Sequence, residues 1–179
     1  MLDGWRDAGA ELTLFSPLAD EAPCPGADAV YLPGGYPELW AGRLAAAGGF
    51  IAGLRAAARD GKPVYGECGG YMVLGEALSD GEGRRHAIAG LLPLETSFAE
   101  RRLQLGYRCA TPLRQTPLGA AGSRFRGHEF HYATTVMEDG DPLWASTDAA
   151  GADLGCYGLR RGSVFGSFIH LIDAESPLT

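Results

Sequence analysis

The segment Val64-Tyr65-Gly66-Glu67-Cys68-Gly69-Gly70 constrains this chain more than any other, because it sets a cysteine among small residues where a short apolar strand gives way to a helix. Its form, Gly-x-Cys-x-Gly, is that of a nucleophile elbow. At such a turn the nucleophile occupies a strained backbone conformation that pushes its side chain into the open, and Cβ atoms two residues to either side would collide. Gly66 and Gly70 remove those atoms. A thiol so placed can attack a carbonyl carbon, and the amide N–H of the following residue, Gly69, points to where an oxyanion would form. The same letters also spell a glycine-rich turn around a buried cysteine, a common fate of free thiols. The chemistry therefore has to be supported from elsewhere in the chain.

Around the elbow the sequence alternates between strand and helix signals. Leu2 to Ala8 predicts a helical turn or two closed by Gly9, ahead of the β-like run Glu11-Leu12-Thr13-Leu14-Phe15. Ala29-Val30-Tyr31-Leu32 predicts a strand that stops at Pro33-Gly34-Gly35. Phe50, Ile51, Leu54 and Ala58 recur at helical spacing, and Gly61-Lys62-Pro63 breaks that helix just before the strand Val64-Tyr65. Tyr71 to Ala77 is expected as the helix after the elbow, with its N-terminus at Cys68, where the helix dipole would favour the thiolate. Such alternation predicts an α/β fold with a mostly parallel sheet, helices on both faces and a ligand site at the carboxyl ends of the strands. Gly34-Gly35 and Cys68 both fall at such ends. From about Leu91 the character changes: Leu105 to Cys109, Phe125 to Thr135 and Val164 to Ile172 read as strands, so the second half is expected to be β-rich and partly antiparallel. A doubly wound sheet opens with a strand, whereas this sequence opens in a helix. The expectation is a fragment that lacks its first strand and further sequence upstream.

A chain of 179 residues, 46% hydrophobic, suffices for one domain with a full core and is short for two. The net charge of −7, without clustered lysine and arginine, argues against a nucleic-acid partner. No apolar run approaches the ~18 residues of a membrane span and no basic-then-apolar leader is present, so a cytoplasmic location is expected. Cys24, Cys68, Cys109 and Cys156 are widely spaced, which favours free thiols over a disulfide framework. Without Cys-x-x-Cys pairs or histidines at i, i+4, no metal site is expected.

A cysteine nucleophile needs a base. His86 lies in a polar segment that reads as an exposed loop, whereas His170 ends the run Val164-Phe165-Gly166-Ser167-Phe168-Ile169, at a strand terminus where the Cys68 site also lies. A neutral imidazole there could take the thiol proton. In His128-Glu129-Phe130-His131, a strand would put Glu129 and His131 on one face and His128, Phe130 and Tyr132 on the other. A carboxylate beside an imidazole can orient a catalytic group, bind an ammonium or serve as a structural polar pair.

Four blocks, Leu32-Pro33-Gly34-Gly35-Tyr36-Pro37-Glu38, Gly66-Glu67-Cys68-Gly69-Gly70, Arg126-Gly127-His128-Glu129-Phe130-His131-Tyr132 and Gly166-Ser167-Phe168-Ile169-His170, resemble in order the motifs of class I glutamine amidotransferases. The resemblance is specifically to the glutaminase domain of cobyrinic or hydrogenobyrinic acid a,c-diamide synthases, and it covers the chain almost end to end. It implies a flavodoxin-like fold in which Cys68 attacks the side-chain amide of glutamine, His170 shuttles the proton, and the amides near Gly34, Gly35 and Gly69 hold the oxyanion. It further implies an N-terminal synthetase domain that uses ATP and magnesium to activate the a and c carboxylates of the corrinoid acid, which the released ammonia converts to amides. No Gly-x-x-x-x-Gly-Lys-Ser/Thr occurs here, so those cofactors are expected in that other domain. Many class I members carry a glutamate two residues after the histidine, but here that position is Ile172, with Asp173 one further on. Asp173 and Glu129, with His131, are thus only possible supporting residues. Competing readings are a γ-glutamyl hydrolase-type cysteine hydrolase, a stress protein whose Glu67 tunes the cysteine, and a non-catalytic docking domain.

Overall fold

In the computed structural model, which describes residues 2–175, the predicted alternation builds the part of the fold that holds the elbow. Its elements are α1 (Leu2–Asp7), β1 (Val30–Leu32), α2 (Ala41–Ala46), α3 (Gly48–Arg59), β2 (Val64–Glu67) and α4 (Gly69–Leu74). α3 forms because Phe50, Ile51, Leu54 and Ala57 recur on one stripe, which is buried. β1 and β2 pair in parallel with Val30 opposite Val64 and Leu32 opposite Gly66, as two strands joined by a helical crossover must.

The remaining elements are strands: β3 (Ala77–Ser79), β4 (Arg85–Ala87), β5 (Leu94–Ser97), β6 (Gln104–Pro112), β7 (Phe125–His131), β8 (Thr134–Glu138), β9 (Asp141–Thr147), β10 (Asp153–Arg161), β11 (Val164–Ser167) and β12 (Ile169–Ala174). Together with β1 and β2 they make two sheets: eight strands in the order β1-β2-β11-β10-β9-β6-β7-β12, and a smaller one of β4-β3-β5-β8. The α/β class is as expected. Parallel pairing in the large sheet is confined to β1, β2 and β11, and every other neighbouring pair in it is antiparallel. Short links such as Asp148–Ala152 between β9 and β10 allow a hairpin and leave no room for a crossover helix.

Two cores flank the parallel strands. Val30, Leu32 and Val64 pack against Leu44, Phe50 and Leu54 of the helices and against Tyr71 and Leu74 of α4. The opposite face carries Tyr31, Tyr65 and Phe165 in a row of stacked rings, joined to Trp144, Phe125 and Ile169 inside the curl of the large sheet. α1 lies on this second side, with Trp5 edge-on to Tyr31 at 5.1 Å. Helices therefore cover both faces of the parallel strands, as the alternation predicts.

Several boundaries differ from the sequence reading. Glu11–Phe15 joins no strand; Phe15 instead packs beside Phe50, ring centres 6.1 Å apart. α4 ends at Leu74 rather than Ala77, because Gly75 is extended (φ −67°, ψ 176°) and a Cβ there would lie 2.6 Å from the Leu94 carbonyl oxygen. The run from Phe125 breaks after His131, which sends β8 to the smaller sheet, and the run from Val164 breaks at Phe168, which separates β11 from β12. No helix among the described residues is long and apolar enough to cross a membrane.

Candidate active site

β2 enters α4 through Cys68, whose backbone stands at φ 49°, ψ −106°. A residue with a side chain is strained there. The turn is held by the Cys68 N–H, which donates to the Ser167 carbonyl at 2.8 Å, and by the Met72 N–H, which donates to the Cys68 carbonyl at 3.1 Å. A Cβ on Gly66 would lie 2.7 Å from the carbonyl carbon of Gly70, the collision that the Gly-x-Cys-x-Gly pattern anticipates.

The loop after β1 lies directly against this elbow. A Cβ on Gly69 would come within 2.8 Å of the Gly35 nitrogen, and one on Gly34 would strike the His170 ring at Cε1 and stand 3.3 Å from its Nε2. Gly34-Gly35 is thus a common wall with the nucleophile turn on one side and the imidazole on the other. Beside Gly35 the space is open. The predicted site residues Gly34, Gly35, Cys68, Gly69 and His170 are brought together.

Cys68 is buried, 6% exposed. Burial pushes its thiol up to about 11; the Gly69 amide works against this, while the carboxylates of Glu38, Glu67 and Glu129 add to it. The resting residue is therefore a neutral thiol rather than the thiolate that a helix N-terminus would favour, because burial, with the three acids added, outweighs the Gly69 amide. Its S–H donates toward the Phe130 carbonyl at 3.7 Å.

His170 is the second residue of β12 rather than the end of β11, and stands opposite His128 of β7. Its half-buried ring stacks on His128, centres 4.9 Å apart and planes 11° from parallel. Burial lowers its pKa below the ordinary 6.5; Glu67 opposes that shift, and His128 and His131 add to it. The imidazole is accordingly neutral at pH 7 and free to accept a proton.

One important side chain escaped the sequence reading, which considered Glu67 only as a tuner of the cysteine. The Glu67 carboxylate is 2% exposed, accepts hydrogen bonds from the Tyr31 hydroxyl at 2.9 Å and the Tyr65 hydroxyl at 2.8 Å, and faces His170 Nδ1 at 3.8 Å. The available signal was strand alternation: Tyr65 and Glu67 share a face of β2, and Tyr31 stands beside Tyr65 in the register. Asp173, by contrast, is exposed and in register with Arg126, so it is not the carboxylate at the imidazole.

Glu129 and His131 do share a buried face, with His131 Nε2 2.9 Å from Glu129 Oε1. Glu129 also accepts from Arg108 Nε at 2.9 Å and Nη2 at 2.7 Å. Although burial opposes it, hydrogen bonding to His131 and Arg108 holds the Glu129 carboxyl below its usual range. Arg108 and His131 thus hold Glu129 in one buried cluster, and Arg108 is the partner that the sequence reading missed. His86 belongs to β4 rather than to an exposed loop, held by Asp80 at 2.9 Å. With Glu38 and Arg101 it lines a cleft of about 710 Å³ whose walls include neither Cys68 nor His170. All four cysteines are free thiols.

Comparison with known proteins gives the family. The chain is 58% identical over 174 residues to hydrogenobyrinate a,c-diamide synthase of Brucella anthropi and 59% identical over 172 residues to that of Rhodobacter capsulatus, covering 97% and 96% of this chain. It spans 39% of the length of each of these relatives. Among solved structures it resembles PurLQS from Thermotoga maritima, with a TM-score of 0.56 at 19% identity over 84% of this chain and 71% of that one. It also resembles a glutamine amidotransferase from the same organism, with a TM-score of 0.56 at 15% identity over 95% of this chain and 68% of that one. The description of a CobB/CobQ-like glutamine amidotransferase domain matches residues 2–177, nearly the whole sequence, and the chain belongs to that family.

Proposed function

We propose that this chain is the glutaminase half of an a,c-diamide synthase, releasing ammonia from glutamine for transfer to a corrinoid acid. The observation that carries the reading is the shared wall at Gly34-Gly35, which sets the amides of Gly35 and Gly69 beside a strained cysteine and packs the His170 ring one residue away.

Glutamine enters with its side-chain carbonyl oxygen toward the Gly35 and Gly69 amides. His170 Nε2 takes the Cys68 proton as the sulfur bonds to the amide carbon, because a thiol resting near pKa 11 is a poor nucleophile until a base relieves it. The tetrahedral oxyanion collapses, the C–N bond breaks, and the imidazolium returns its proton to the departing ammonia. Water, deprotonated by the same imidazole, then cleaves the γ-glutamyl thioester to glutamate and the free thiol.

The amide-forming half belongs in this reading to a separate synthetase domain that holds ATP and magnesium; this sequence has no phosphate-binding loop of the Gly-x-x-x-x-Gly-Lys type. The relatives are named for hydrogenobyrinate, which supports the metal-free corrinoid acid over the cobalt-containing one. In the full synthase Cys68→Ala should abolish glutamine-dependent amidation and leave ammonia-dependent amidation intact. If a folded Cys68→Ala variant retained the glutamine-dependent reaction, the proposal would fail.

A further inference from the structure

We infer that Glu67 is the positioning residue for His170: the carboxylate that fixes the imidazole comes from the residue just before the nucleophile, not from the segment after the histidine. The inference rests on the glutaminase reading and names a role within its site.

Glu67 is 2% exposed, and among the described residues the one basic side chain within ion-pair distance of it is His170. A buried carboxylate is costly unless its oxygens are met by donors. Three donors are fixed. Tyr31 and Tyr65, stacked on one another at 5.7 Å, donate to Oε2 and Oε1, and the Leu171 N–H donates to Oε1 at 3.3 Å. Leu171 directly follows His170, so one carboxylate oxygen anchors the backbone of β12 beside the histidine while the other faces the ring nitrogen. Burial first, and then the Glu67 charge, keep both phenols well above their ordinary range, so they remain donors.

The competing carboxylates are disposed of by their surroundings. Asp173 is exposed opposite Arg126, and Glu129 is occupied by Arg108 and His131. At 3.8 Å the Glu67–His170 approach is longer than a hydrogen bond, as is common before substrate is bound. It closes when the ring gains the thiol proton and an imidazolium faces the carboxylate. Glu67 thereby sets the tautomer: Nδ1 carries the hydrogen, and Nε2 is left as the base.

The first test needs no variant. Nitrogen-15 chemical shifts of His170 in the wild-type chain at pH 8 should report the Nδ1–H tautomer, and an Nε2–H tautomer would overturn the inference. The second compares Glu67→Gln and Glu67→Asp. The glutamine variant should lose about tenfold or more in kcat with KM little changed, part of the roughly 10²–10⁴ that a positioned base contributes. Its His170 titration should move to lower pH, and the aspartate variant should restore both readouts toward wild type. Unchanged His170 titration in folded Glu67→Gln, or equal loss in both variants, would overturn the inference. Labelling of wild-type Cys68 by a glutamine-analogue diazoketone separates the two levels. No labelling would sink the glutaminase reading itself, while labelling with an Nε2–H tautomer would sink only the role of Glu67.

Discussion

At the scale of single residues, the two groups that the proposal makes reactive, Cys68 and His170, both rest uncharged. Cys68 holds its proton to about pH 11 against an ordinary 9.0. A thiol whose pKa is higher folded than unfolded contributes stability below the unfolded value and loses it as pH rises toward the folded one. Roughly 2–3 kcal/mol should disappear between pH 9 and 11. Urea denaturation across that range should fall more steeply for wild type than for Cys68→Ala, and equal slopes would contradict the buried thiol. His170 is shifted the other way, so it stays unprotonated below its ordinary 6.5. The acid limb of kcat/KM for glutamine hydrolysis should accordingly lie below pH 6.5, and a limb above it would rule out His170 as the base. Cys68 and His170 were legible in the sequence because an elbow and a strand-end histidine have local signatures. Glu67 was not, since its role depends on Tyr31 and on β12, 36 and 104 residues away along the chain from its bonded partners. The thiolate expectation failed for a related reason: the burial of Cys68, and then the approach of Glu38 and Glu129, arise only through the fold.

At the scale of elements, the elbow works because a helix begins against the ends of two strands. A Cβ on Gly66 would meet the Gly70 backbone and the Leu74 side chain, 2.7 and 2.8 Å away, and main chain cannot swing aside as a long side chain can. Gly66→Ala should therefore cost about 3 kcal/mol, the upper end of ordinary overpacking, with loss of activity. A urea midpoint within measurement error of wild type would show that the close approach is not needed. The strand β2 and the helix α3 were legible because periodicity and breakers are local. α4 was overestimated because Gly75 ends it through contact with the Leu94 carbonyl of a different sheet. Glu11–Phe15 has the residue pattern of a strand, but strand identity requires a neighbour to pair with, and Phe15 is instead drawn onto Phe50.

At the scale of the whole molecule, β11 and β12 are joined through the single residue Phe168, yet four strands, β10, β9, β6 and β7, stand between them in the sheet. This is geometrically possible because the sheet curls until β12 returns to the end of β2, where Leu171 meets Glu67 at 3.3 Å. Sequence reading found β1, β2, β6, β7, β11 and β12 at least in part, missed β3, β4, β5, β9 and β10, and gave no order, since order is set by pairings between distant segments. Cys68 and His170 thus lie on strands far apart in the sheet order, yet they approach once β11 docks on β2, because Ser167, just ahead of β12, stands opposite Glu67, the residue before Cys68. Contacts of such long sequence separation form slowly. During refolding, recovery of diazoketone labelling at Cys68 should lag the far-ultraviolet signal of strand formation, and coincident recovery would mean that the site assembles locally. The single-residue joint at Phe168 therefore works as a tether: whatever seats β11 on β2 delivers the imidazole to the sulfur's end of the sheet in the same motion.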